Sequence, residues 1–409
     1  MYIQLQHSFF SPIHGGQETR MHALIQELLR RGNRVSVMVS QDGVDSLEPY
    51  KEMGVNFTIH PVFYHAGWKS LLDPYVYPQR LKRFIEFQYR QDRPDLVLSF
   101  HIFYVFATKS VCPELPVGYL TGGAIADWYS WLHGHQTWVK HCPLRIKTSL
   151  AERVEREALT MADKVFVEAR SLQSRLEQIH GDIAVRYVLW PTPVDKEQLK
   201  PSPSKRMEVR KEMGIDEDEK LLLCVGRLNW NKNFSLIIKA LGAMSTRKFL
   251  LVIVGDGPER QSLQDLATLV GIGERVRFLG FQSYGNLVGM YAAADVFLHP
   301  ALIEPYGLVV QEAMATGLPC IVSTGDHVGF SSALTDEVNA LLADPATLQD
   351  WIKKLQRLMS DTNLRHRLGA SARAWIEERP DWSDLTNILL RELDRTDGVR
   401  RVKDGRRLM

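Results

Sequence analysis

Cysteine is scarce and scattered. The four residues Cys112, Cys142, Cys224 and Cys320 are spread over 409 positions, in a pattern that fits neither a zinc knuckle nor a small disulfide framework. A reducing compartment is the expected setting. Long apolar runs are missing too: no uncharged stretch approaches the roughly 18 residues that a membrane span needs. The start MYIQLQHSFFSPIHGG has no basic opening and no long apolar segment. The expectation is a cytoplasmic protein without an inserted anchor. Nor does one charge sign dominate. Lys and Arg number 50 against 48 Asp and Glu, balanced in both halves, which argues against a nucleic-acid binder relying on bulk charge. No repeat of fixed short period occurs, and the dinucleotide fingerprint with three spaced glycines is absent.

What the chain does have is a 45% apolar and 24% charged composition, that of a soluble globular protein. At this length two or three domains are expected. Apolar β-rich runs alternate with helical patterns, the order of parallel sheets covered by helices. Residues 2–7 read as a strand, followed by a loop with Pro12, Gly15 and Gly16. A helix then repeats Met21, Leu24, Ile25, Leu28 and Leu29 at spacings of three and four, and Gly32 stops it. Further strands are expected at 34–39, 55–60, 95–100, 115–120, 164–168 and 185–189. The segment Trp190 to Lys205 holds four prolines in sixteen residues and reads as a linker, too proline-rich for a helix or central strand. Beyond it the alternation restarts with LLLCVGR, KFLLVIVG, RVRFLGF, DVFLHP and PCIVS as strands, and helices at 233–244, 258–270 and 307–316. After residue 345 only helical patterns remain. The expectation is two domains, 1–195 and 196–384, with a cleft between them and a closing helix at about 385–409.

Three constellations could carry chemistry. His14-Gly15-Gly16-Gln17 stands between a first strand and a first helix, where glycines let backbone N–H groups approach a ligand; a tight turn explains it equally well. Val225 to Lys232, VGRLNWNK, places Arg227 and Lys232 around a loop at a strand end. Arg plus Lys there can pair with a leaving diphosphate, or simply form surface salt bridges. The third is His299 to Met314, HPALIEPYGLVVQEAM, in which Glu304 lies in a loop and Glu312 about one turn into the next helix. One acid can meet a sugar and the other a ribose, with phosphate at the helix start; two unrelated glutamates are the alternative. Gly255-Asp256-Gly257-Pro258 lacks the third glycine of a fingerprint and reads as structural. Asp216-Glu217-Asp218 matches a short acidic metal-site pattern but lies in a charged stretch and reads as a solvated loop. The last ten residues hold five basic side chains and one acid, a solvated tail or a point of attraction to an anionic membrane face.

The run VGRLNWNK, LVIVGDGPE, VRFLGF and AAADVFLHPALIEPYGLVVQEAMATGLPCIVS resembles the nucleotide-binding half of family 4 retaining glycosyltransferases. HGGQETR resembles their N-terminal glycine loop, and VLWPTPVD the segment entering their linker. The resemblance implies a GT-B fold: α/β, with two Rossmann-like doubly wound domains facing across a cleft, the first binding a saccharide, lipid-linked or small-molecule acceptor and the second an activated sugar. It implies retaining transfer from a nucleoside diphosphate sugar such as a UDP- or GDP-sugar to a hydroxyl, with no metal and no separate cofactor. Arg227 and Lys232 fall on positions that hold the diphosphate, Glu312 on the ribose position and Glu304 on the sugar position. Gly307, Leu308 and Val309 offer backbone N–H groups to phosphate or sugar, and Gly15 and Gly16 approach the donor. Two departures stand out. Thr121-Gly122-Gly123 replaces a region where the family often carries a histidine; His101, one position from another such histidine, is a candidate catalytic residue with a core or surface role equally open, and Asp127 is a substitute nothing in the sequence selects. Gly325-Asp326-His327 departs from a usual glycine pair. A GT-B sugar-nucleotide epimerase and a catalytically silent subunit of a glycosylation complex are the competing readings, and peripheral contact with the inner membrane face is compatible with the leading one.

Overall fold

The central strands are short, continuous apolar runs, such as Phe249–Val254, in which every residue is buried. Such a run has no solvent face and belongs inside a parallel sheet covered on both sides. The computed structural model describes residues 1–7, 16–40, 53–61, 73–124, 143–181, 183–246, 248–304, 306–325 and 328–405. They form two compact units, Met1–Thr192 with Pro380–Met409, and Pro193–Arg379.

The first unit is built on a seven-stranded sheet of β1 (Tyr2–His7), β2 (Arg34–Ser40), β3 (Asn56–His60), β4 (Leu96–Ser99), β5 (Val117–Thr121), β6 (Lys164–Val167) and β7 (Tyr187–Leu189). Their spatial order is β3-β2-β1-β4-β5-β6-β7, and every pairing is parallel. The helix Trp382–Gly405 packs on the helix Gly16–Arg30, and its Leu385, Leu389 and Leu393 join the same core as Leu24 and Leu28. Arg20 of that first helix is buried, paired to Glu168 at 2.9 Å with its guanidinium over the Trp190 ring.

The second unit carries β8 (Lys220–Val225), β9 (Phe249–Val254), β10 (Val276–Gly280), β11 (Val296–His299), β12 (Cys320–Ser323) and β13 (Leu341–Ala343), in the order β10-β9-β8-β11-β12-β13. Alternate residues feed opposite cores. Leu222, Cys224, Leu251 and Ile253 pack with the helices Phe234–Ala243 and Leu348–Ser360, while Leu221, Leu223, Leu250 and Val252 pack with Tyr284–Ala293 and Leu308–Ala315. The order reverses between β8 and β11, so the loops leaving their C-terminal ends diverge and open the crevice where doubly wound sheets take ligands.

Three sequence expectations need correction. The proline-rich segment is not all linker: a helix spans Pro203–Glu212, with Pro203 in its first turn and the Ser202 hydroxyl accepting from Lys205 N at 3.4 Å. Proline lacks only an N–H that the first turn leaves unpaired anyway. Trp190 is core rather than linker; it is fully buried, and its Nε1 donates to Leu385 O at 2.8 Å. The three-residue β13 was not foreseen, because a run that short carries no readable period. Among the described residues no helix is long and apolar enough to cross a membrane.

Candidate functional site

Two loops enter the crevice of the second unit, 226–233 after β8 and 300–307 after β11. They are stitched together, since Leu302 N donates to Asn231 O at 2.7 Å. The first loop also rests on the Gly255-Asp256-Gly257 turn: Gly226 N donates to Val254 O at 3.0 Å and Leu228 N to Asp256 O at 2.9 Å. The contact is close enough that a Cβ on Gly255 would lie 2.0 Å from Gly226 O. That turn supports the loop carrying Arg227.

Within this frame Lys232 and Glu304, 72 residues apart, form an ion pair through Glu304 Oε2. The Gly307 N–H donates to Glu304 Oε1 at 3.2 Å. His299, at the end of β11, is buried with its Nε2 3.2 Å from the same Oε2, although neither ring nitrogen has a hydrogen bond of proper geometry. Burial alone would raise the Glu304 pKa, but the Lys232 ammonium and the His299 ring outweigh it and hold the carboxyl well below the usual range. Burial lowers the His299 pKa, outweighing the nearby Glu304 carboxylate, which raises it, and so favours the neutral imidazole.

The helix Leu308–Ala315 begins at Gly307, whose φ of 67° is left-handed and whose missing Cβ leaves room for Phe330. The Leu308 and Val309 N–H groups, first in that helix, have no protein acceptor among the described residues; such a terminus favours an anion. One turn on, Glu312 is buried and accepts from Tyr291 Oη at 2.8 Å. Desolvation, only partly offset by that hydrogen bond, raises its pKa to about 7.

Arg227 sits on the same loop as Lys232 but is exposed, with no ion-pair partner among the described residues. The site thus unites Lys232, Glu304 and Gly307 and places Leu308, Val309 and Glu312 on the adjoining helix, while Arg227 forms no ion pair with Glu304. Gly16 and His101 belong to the first unit. His101 caps the helix Ile102–Val111, its Nδ1 accepting from Phe103 N at 3.3 Å, and the Thr121 hydroxyl closes a turn on Gly123 O at 3.0 Å. Gly15, Asp127, Asp326 and His327 lie outside the described residues. Asp218 of the acidic triplet pairs with Lys248 on the surface at 2.6 Å, and among the described residues no cluster of three His, Cys, Asp or Glu could hold a metal. His299 and Tyr291 received no role from the sequence. A histidine closing an apolar strand directly before Pro300 was the one available signal.

Two family models match the chain. The one described as glycosyl transferases group 1 covers residues 205–375, and the one described as glycosyltransferase family 4 covers residues 14–198. An uncharacterized glycosyltransferase of Methanocaldococcus jannaschii is 33% identical over 181 residues, which is 44% of this chain and 46% of the relative. A D-inositol 3-phosphate glycosyltransferase of Saccharomonospora viridis is 31% identical over 248 residues, 58% of this chain and 56% of the relative. The chain thus aligns with about half the length of these curated relatives. In fold it is similar to Anabaena HepE in complex with UDP and glucose, at a TM-score of 0.74 and 21% identity over 96% of this chain and 99% of that one. With one matched model on each half and two parallel Rossmann-like sheets, the chain belongs to the family 4 glycosyltransferases of GT-B fold.

Proposed function

We propose that this chain moves a sugar, with retention, from a nucleoside diphosphate sugar to a hydroxyl acceptor. The observation that carries the reading is the meeting of a cation, a carboxylate and a helix N-terminus at the crevice between β8 and β11. The UDP and glucose held by the HepE neighbour make UDP-sugars the first donors to try, with GDP-sugars next. In this reading Arg227, Lys232 and the N–H groups of Leu308 and Val309 take the diphosphate, Glu312 accepts from the ribose hydroxyls, and Glu304 addresses the sugar. The bond from the anomeric carbon to the β-phosphate oxygen breaks, and the acceptor oxygen bonds to that carbon on the same face. Its proton passes to the departing phosphate oxygen. Negative charge grows on the diphosphate as the bond breaks, and fixed positive groups that need no reorganisation lower that barrier.

Donor turnover measured against pH in EDTA tests the reading. The diphosphate of a nucleotide sugar does not titrate near neutrality, whereas Glu312, with its pKa at about 7, must be ionised to accept two ribose hydroxyls. The kcat/KM for the donor is therefore expected to rise as pH increases from 5.5 to about 7 and then to level, with EDTA present throughout. The product is expected to keep the donor's anomeric configuration by NMR. Activity abolished by EDTA and restored by manganese, or a flat profile across this range, would count against it.

A further inference from the structure

Lys232 has one ammonium and two claims on it. In the reading proposed above it binds the donor diphosphate, yet in this structure it is paired to Glu304 Oε2. Both side chains are largely buried, at 17% and 14% exposure, so the pair is not a passing surface contact. If Lys232 turns to the diphosphate, Glu304 loses its counter-charge inside the protein, a strongly unfavourable state unless another donor takes over. His299 is placed to do so. It is 1% exposed, its ring is stacked on Phe297 at an interplanar angle of 12°, and both its nitrogens lack a hydrogen bond. A buried polar group without a partner is costly and calls for an explanation. Nε2 already lies 3.2 Å from the oxygen that Lys232 holds, while Oε1 is pinned independently by the Gly307 N–H.

We propose that the Lys232–Glu304 pair is a latch that the donor diphosphate opens, and that His299 is the positioning residue that then keeps Glu304 in place. The inference rests on the proposed nucleoside diphosphate site. Two donors share one carboxylate oxygen: the lysine holds it before binding and the imidazole N–H afterwards. Between the two states the carboxylate pivots little, because its other oxygen stays on the Gly307 N–H. The diphosphate thus competes with Glu304 for the lysine, and His299 weakens the competitor.

The test is calorimetric titration of UDP, and separately of GDP, into the full chain and its variants. Glu304→Gln, which cannot hold the ammonium as a carboxylate does, is expected to bind the nucleoside diphosphate roughly five- to tenfold more tightly than wild type. His299→Phe keeps the stacked ring but leaves Lys232 as the only side-chain partner of Glu304, so binding is expected to weaken by a similar factor. His299→Gln, which retains an N–H donor, is expected to restore wild-type affinity. The double variant Glu304→Gln with His299→Phe is expected to bind as tightly as Glu304→Gln alone. A packing role for His299 would instead carry its loss into the double variant. No tightening in Glu304→Gln, or a loss that persists in the double variant, overturns the latch while leaving the site reading intact. Wild type that binds neither UDP nor GDP overturns both. Glu304→Gln decides the latch even where His299→Phe does not fold.

Discussion

Lys232→Ala is expected to lower donor turnover by about 10²- to 10³-fold, the range seen when one fixed group stabilising a developing negative charge is removed. It is also expected to destabilise the second unit. Glu304 is held in its ionised form chiefly by Lys232, and taking away one member of a largely buried pair leaves the other charge poorly compensated. Because that carboxyl's pKa is depressed in the folded state, the stability it contributes is present above its unfolded value and is lost as pH falls. Alanine at 232 removes much of this pH dependence. Arg227→Ala separates the two effects. Its side chain is exposed and has no ion-pair partner among the described residues, so turnover is expected to fall by about 10²-fold with the melting curve unchanged. Steady-state kinetics alongside circular dichroism melts checks both. Full turnover in either variant, measured at saturating donor, would remove that residue from the diphosphate site.

Gly255→Ala is expected to be the most damaging substitution outside the site. The new Cβ would stand 2.0 Å from Gly226 O, a backbone atom that cannot move without the loop that carries Arg227, and the residue's φ of 127° is unfavourable for any L side chain. Overpacking and backbone strain together are expected to cost about 3–5 kcal/mol and to lower the melting temperature by roughly 10 °C. Turnover is expected to fall as well, because loop 226–229 is displaced. Gly285→Ala provides the contrast: it sits in the helix Tyr284–Ala293 with nothing within 4 Å of the added atom and an ordinary φ. It is expected to be neutral or slightly stabilising. Equal melting temperatures for the two alanine variants would refute the supporting role of the turn.

The central strands of the second unit were legible because their burial on both faces requires unbroken apolar runs; KFLLVIVG and PCIVS became Phe249–Val254 and Cys320–Ser323. The helix closed by Gly317 was legible from its stop chemistry. The pairing of Lys232 with Glu304 was not, since both were assigned to ligands and only the strand order that sets β8 beside β11 brings their loops together. Pairwise contact across 72 residues leaves no local pattern. His299 and Tyr291 escaped for a related reason. His299 closes an apolar strand and Tyr291 lies within a helix, and the meaning of each depends on the carboxylate it faces, Glu304 for one and Glu312 for the other. The helix beginning at Pro203 was hidden by proline count, which ignores position within the first turn.

A nucleoside diphosphate is expected to bind at the C-terminal ends of β8 and β11 in the second unit. A crystal structure of the chain with UDP, or with GDP should UDP not bind, tests it most directly. The predicted result places the phosphates within hydrogen-bond distance of Arg227, Lys232 and the Leu308 and Val309 N–H groups, with the ribose on Glu312. A nucleotide seated elsewhere, or phosphates turned away from Lys232 with its Glu304 pair intact, would contradict it.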